Sequence, residues 1–182
     1  KQFGAVLLTD LDNFKAINDT AGHETGDYLL QQIATRLLEC VKANHMVARL
    51  GSDEFVVLLD HLGSSEMEAI PQLEKTAKYI LQTLTQPYFL ADSEYHNSAS
   101  IGISLFGIEA CENIQDPIKR ADMALSDAKN YGRNTYRFFD PEIQSQVQER
   151  AEIDTGLRQA LEKNQLVLYY QPQVNGAQQV TG

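Results

Sequence analysis

Apolar and polar positions change period several times along this chain. Residues 3–8, FGAVLL, form a continuous apolar run bounded by Asp10, as expected of a strand buried on both faces. Leu29, Leu30, Ile33, Ala34, Leu37, Leu38 and Val41 recur at helical spacing and predict an amphipathic helix over 26–42. The runs MVARL and EFVVLLD flank Gly51 and Ser52 and predict a tight hairpin with Asp53 and Glu54 at its tip. A second helix is predicted from about 65 to 86, with Pro71 near its first turn or breaking it. The run from Tyr88 to Phe106 reads as a second hairpin turning at Asp92 and Ser93. Asp116 as N-cap and Pro117 at the first helical position open a third helix that Gly132 ends, and TYRFF is a further strand. Pro141 starts a long polar helix that reads as a connector. After it, QLVLYYQPQV at 165–174 reads as the first strand of another domain.

Composition narrows the classes of partner. A chain of 182 residues, 43% hydrophobic and 22% charged, has the make-up of an ordinary globular fold with one sizeable core. Its net charge of -10 repels nucleic-acid phosphates and anionic membrane surfaces, so neither is an expected partner. Any phosphate ligand needs a local cluster of bases. Cys40 and Cys111 show no metal-ligand spacing, which fits reduced, buried thiols in a cytosolic setting. The apolar runs are too short to span a bilayer; a membrane anchor, if there is one, lies elsewhere in a parent protein.

Three polar constellations remain: Asp10 with Asp12 after the first strand, Asp53 with Glu54 at the hairpin tip, and Lys129 with Arg133 at the end of the third helix. Each has an ordinary explanation, since carboxylates cap helices and basic residues complement a helix C-terminus. Taken together they admit another. If the first strand and the hairpin are sheet neighbours, Asp10 and Asp53 face each other and repel unless a divalent cation lies between them. Oxygen ligation favours Mg2+, which completes its shell with water and substrate phosphates, and Lys15, Lys129 and Arg133 would supply the positive charge for a nucleotide triphosphate.

The segments DLDNFKAINDTAGHETGD, RLGSDEF, ASIGIS and ADMALSDAKNYGRN, in this order, resemble the GGDEF domain of diguanylate cyclases over about residues 1–140. The tail LRQALEKNQLVLYYQPQV resembles the opening of an EAL domain, the cyclic di-GMP phosphodiesterase module. The resemblance implies an α/β (α+β) fold, a central, mainly antiparallel sheet flanked by helices, as in nucleotidyl cyclases and polymerase palms. It also implies three segments: a GGDEF domain over 1–140 whose N-terminal helix is missing, a connector helix over 141–164, and the start of a truncated EAL-like domain over 165–182.

By the same resemblance, Asp10, the Leu11 carbonyl and Asp53 hold Mg2+, or Mn2+ in its place. Asp53 or Glu54 helps deprotonate a ribose 3′-hydroxyl. The backbone of Asn13, Phe14 and Lys15, with the Lys15 ammonium, holds the β and γ phosphates; Lys129 and Arg133 reach them from the far helix. Asn18 and Asp27 read guanine, with His23 close by. The implied reaction joins two GTP into cyclic di-GMP and pyrophosphate in a homodimer, one GTP on each protomer. An alternative from another class is a GTP-binding regulatory module that controls a downstream EAL domain.

Two departures from the family pattern bear on this. Ser52 stands where the family has its second glycine, after Gly51, beside the expected nucleotide. A type II′ turn tolerates it; a type I′ turn would force it to φ > 0, at roughly 1–2 kcal/mol. The family's product-inhibition motif R-x-x-D is replaced by Lys42 and His45, so poor binding of cyclic di-GMP is expected there.

Overall fold

β1 (Phe3–Leu11) is the central strand of a five-stranded sheet ordered β2-β3-β1-β6-β7. The computed structural model describes residues 2–90, 93–107, 115–163, 165 and 176. The chain divides into two units, Lys1–Ser145 and Gln146–Gly182. In the first, α1 (Phe14–Ala21) and α2 (His23–Cys40) follow β1, then β2 (Met46–Arg49), β3 (Glu54–Leu59) and α3 (Glu66–Leu84). The short strands β4 (Tyr88–Leu90) and β5 (Ser93–Tyr95) precede β6 (Ala99–Gly107), α4 (Gln115–Asn130) and β7 (Tyr136–Phe138). α5 (Pro141–Glu162) runs from the first unit into the second, where Ile153, Leu157 and Leu161 are exposed at four-residue spacing. Among the described residues no helix is long and apolar enough to cross a membrane.

β1 pairs antiparallel with β3 on one side and with β6 along its whole length on the other, while β6 and β7 are parallel. This is the mainly antiparallel, helix-flanked sheet expected. Both faces of β1 are covered, which is why it reads as an unbroken apolar run. Val6 and Leu8 pack with Ala121 and Leu125 of α4. Ala5 and Leu7 belong to the other face, where α3 packs with α2 beside it. Gly102 allows the closest approach on the α4 side, since a Cβ there would overlap Ala121 O and Leu125 N.

Three local expectations need correction. The polar stretch after β1 reads as a loop, yet 13–22 is helical: Phe14, Ile17 and Ala21 fall on one helical face, of which only Phe14 is buried. Gly22, at φ 86°, separates it from α2, which starts three residues earlier than the periodicity marks. The run 88–106 is not one hairpin: β4 pairs only with β5, and β6 joins β1 in the main sheet. Ser93 opens β5 and Asp92 lies outside the described residues. α4 begins at Gln115, which puts Asp116 inside the first turn. Of the strand expected at 165–174, Gln165 is not in a strand, its N–H donating to Ala160 O at 2.8 Å, and 166–174 lie outside the described residues.

Candidate functional site

Strand parity sets the site. Asp10 shares the α4 face of the sheet with Val6 and Leu8, so the residue that meets it comes from α4. Lys129, in the last turn of that helix, places Nζ 2.7 Å from Asp10 Oδ2. Asp10 is 7% exposed. Burial pushes its carboxyl above the usual range; Lys129 pulls it down, and the charges of Asp53 and Asp12 push it up again, leaving it raised. The three constellations therefore meet at one end of the sheet. Their arrangement differs from the sequence expectation in one respect: Glu54, not Asp53, is directly opposite Asp10. Asp53 is one step further on, accepting the Leu11 N–H through its carbonyl at 3.2 Å.

The hairpin tip is wider than a two-residue turn. Leu50 N–H donates to Glu54 O at 2.9 Å, and neither Gly51 nor Ser52 has positive φ. Ser52 thus escapes the strain that a type I′ turn would impose. Its hydroxyl donates to Asp53 Oδ1 at 2.6 Å. Gly51 lies against Glu54, where an added Cβ would come within 3.2 Å of Oε2. Arg49, which the sequence reading passed over, clasps the tip: Nε donates to Gly51 O at 2.9 Å and Nη2 to Ser52 O at 2.7 Å. Its only sequence signal is a guanidinium two residues before a glycine.

Asp12 does not join the candidate ligands. It is 4% exposed and both its oxygens are engaged, Oδ1 by Ser100 Oγ–H at 2.8 Å, and Oδ2 by Ser98 Oγ–H at 2.6 Å and Asn134 N–H at 3.1 Å. These bonds tie the loop after α4 to the end of β1. Arg133 and Asn134 both sit at positive φ, 62° and 47°, and Arg133 N–H closes back on Ala128 O. The buried carboxylate therefore fixes the loop that carries Arg133.

Asn13 starts α1 at φ 58° with no side-chain cap, and Ala16 N–H is the first to close on Asn13 O. The amides of Phe14 and Lys15 lack intrahelical acceptors, the usual condition for holding an anion at a helix N-terminus. Phe14 anchors this turn in the core, whereas Lys15 is exposed. Asn18 lies five residues on, roughly 7–8 Å along the axis. It packs against buried Gly26 of α2, next to exposed Asp27; His23, at the start of α2, is also exposed. A ligand lying along α1 would meet amides and Lys15 at one end and Asn18 with Asp27 at the other. At the former inhibitory position, His45 Nδ1 stands 3.3 Å from Asp60 Oδ1.

The donors fit a magnesium ion. Among the described residues no three His, Cys, Asp or Glu side chains gather for a protein-only metal cage. Asp10 and Asp53 instead offer neighbouring carboxylates with a mutual repulsion, beside the Leu11 main chain, and Mg2+ commonly takes one or two carboxylates and fills its shell with water and phosphate.

A family model described as diguanylate cyclase, GGDEF domain, matches residues 1–135. The bifunctional diguanylate cyclase/cyclic di-GMP phosphodiesterase MucR of Pseudomonas aeruginosa is 41% identical over 170 residues, which cover 93% of this chain and 24% of MucR. The cyclic di-GMP phosphodiesterase PdeR of Escherichia coli is 38% identical over 169 residues, covering 93% of this chain and 24% of PdeR. The chain thus spans about a quarter of the length of either relative. The solved GGDEF domain of YfiN (TpbB) from Pseudomonas aeruginosa superposes with a TM-score of 0.70 at 35% identity, over 81% of this chain and 83% of that one.

Proposed function

This chain belongs to the family of diguanylate cyclase GGDEF domains, and from that premise we propose that it binds GTP and, paired with a second copy, condenses two GTP into cyclic di-GMP and pyrophosphate. The observation that carries the proposal is the meeting of Asp10, Asp53 and Lys129 at one sheet end, next to the open N-terminus of α1. A module serving only as scaffold has no use for a raised, buried carboxylate beside a second one.

In this reading the first amides of α1, Lys15 and Arg133 hold the β and γ phosphates. Lys129 joins them when it leaves Asp10. Asn18 and Asp27 take the guanine edge, Asp27 accepting from N1–H and N2–H, and His23 lies at the rim. Arg49 holds Gly51 and Ser52 in place so that Asp53 and Glu54 keep their positions. The 3′-oxygen of one GTP bonds to the α-phosphorus of the other as the bond to the β-phosphate bridging oxygen breaks. The hydroxyl proton passes to Asp53 or Glu54, and pyrophosphate leaves. A second, symmetric transfer closes the ring, so both copies must present a nucleotide. Asp10, Asp53 and the Leu11 carbonyl would hold Mg2+, which when bound offsets phosphate charge and polarises the phosphoryl oxygens.

We also propose the division expected from sequence, with the catalytic domain over 1–140, a connector over 141–164 and the start of an EAL domain over 165–182. The phosphodiesterase activity in the names of MucR and PdeR supports such a neighbour. Calorimetric titration of the chain with GTP, with and without Mg2+, tests the binding half of the proposal. Saturable binding strengthened by Mg2+ is expected; binding indifferent to the ion counts against the assigned ligands.

A further inference from the structure

Gly26 is the fourth residue of the eighteen-residue helix α2, and its φ is not among the positive ones. Backbone conformation therefore does not call for glycine. Alanine is the better helix former at such a position, so the reason lies in the space a side chain would fill. That space is taken. A Cβ on Gly26 would overlap Asn18 Oδ1 outright and stand 3.3 Å from Phe14 Cζ, whereas one on Gly22 or Gly156 would meet nothing. The backbone on either side is fixed, with Gly22 N–H donating to Asn18 O at 3.0 Å and Gly26 N–H to Gly22 O at 3.2 Å. Any conflict falls on the Asn18 side chain, which must leave its rotamer.

We infer that Gly26 is a positioning residue for base selection: by presenting no side chain, it holds the Asn18 amide on α2 beside Asp27, so that both groups meet one base edge. The inference rests on the guanine-reading role proposed above for Asn18. Asn18 ends up against the residue that precedes Asp27 in the chain, so two groups nine residues apart become one recognition edge. Phe14 backs the same spot, linking the first turn of α1 to the second half of the site.

The test is a cycle of four chains of residues 1–182: unaltered, Gly26→Ala, Asn18→Ala and the double variant, each titrated with GTP and with ATP in Mg2+. The unaltered chain is expected to prefer GTP at least about tenfold, and Gly26→Ala to bring GTP within about threefold of ATP while ATP affinity stays within about twofold. The melting temperature of Gly26→Ala should change little, since the gain in helix propensity offsets the cost of moving the Asn18 side chain. The double variant should match Asn18→Ala, since each change removes the same interaction. A tenfold preference that survives Gly26→Ala overturns the inference. So does equal loss of GTP and ATP binding with a lowered melting temperature, which would make Gly26 a packing residue only. An unaltered chain that binds both nucleotides alike overturns the guanine reading at its root and the inference with it, a result distinct from a preference that persists in the variant.

Discussion

Lys129 Nζ stands 2.7 Å from Asp10 Oδ2, joining the last turn of α4 to the end of the central strand. The carboxylate is almost wholly buried and the ammonium side chain is 36% exposed. Only one of the two charges is therefore strongly desolvated, and the Lys129 ammonium answers the buried charge of Asp10.

Lys129→Met should leave Asp10 close to Asp53 and Asp12 without a counter-charge. The expected cost is about 1–2 kcal/mol, between the values for surface and buried pairs. Thermal melts in chelator should show a loss of several degrees, and added Mg2+ should recover more stability in the variant than in the unaltered chain. An equal response to Mg2+ in both would separate Lys129 from the ion's position.

Arg49→Ala removes two donors from the carbonyls of Gly51 and Ser52. The bonds are exposed, so stability should fall by no more than about 1 kcal/mol. Turnover should drop by tenfold or above, a loss of about 1.4 kcal/mol or more of transition-state contacts. A melt and a GTP-turnover assay on the same preparation separate the two effects.

Asp12→Asn replaces an acceptor of three hydrogen bonds with an amide that must turn an N–H₂ toward at least one donor. The expected loss is about 2 kcal/mol, with faster amide exchange at Asn134. Unchanged exchange there would mean that the loop carrying Arg133 is held by other contacts.

Alkaline pH should weaken the fold. Burial pushes the Tyr88 and Tyr136 phenols above their usual value near 10; Tyr88 donates to Leu84 O at 2.9 Å and Tyr136 to Glu74 Oε1 at 3.4 Å. The folded chain keeps these protons where the unfolded chain releases them. Stability from both groups is complete below pH 10 and declines as pH rises from there towards the folded values. Denaturant midpoints at pH 8, 10 and 11 should fall in that order, and Tyr136→Phe should flatten part of the decline.

The sequence revealed most where local pattern and buried face coincide. β1, β3 and α2 show their periods because each presents an apolar face to the core. α1 is harder to read because it is only eight residues long: Phe14, Ile17 and Ala21 share one helical face, but the stripe is short and only Phe14 is buried. The partner of β6 was hidden too, because pairing between residues 3–11 and 99–107 depends on register across the whole domain and not on the nearby Asp92 and Ser93. At the site, the acidic and basic residues stood out as groups. The occupation of Asp12 by two serines and a main-chain amide, and the clasp of Arg49 on the tip, exist only once distant segments meet. Ser52 shows the same limit: its tolerance depends on a wide turn that the dipeptide alone does not specify.

In the proposed reaction this sheet end carries out phosphoryl transfer between two GTP molecules. Incubation of the chain with GTP and Mg2+, followed by chromatography of the nucleotides, tests it most directly, with Asp53→Asn alongside. Cyclic di-GMP and pyrophosphate are expected, with a rate that rises faster than in proportion to protein concentration and no product from Asp53→Asn. GTP that binds and is recovered unchanged, or product formed equally by Asp53→Asn, would contradict it.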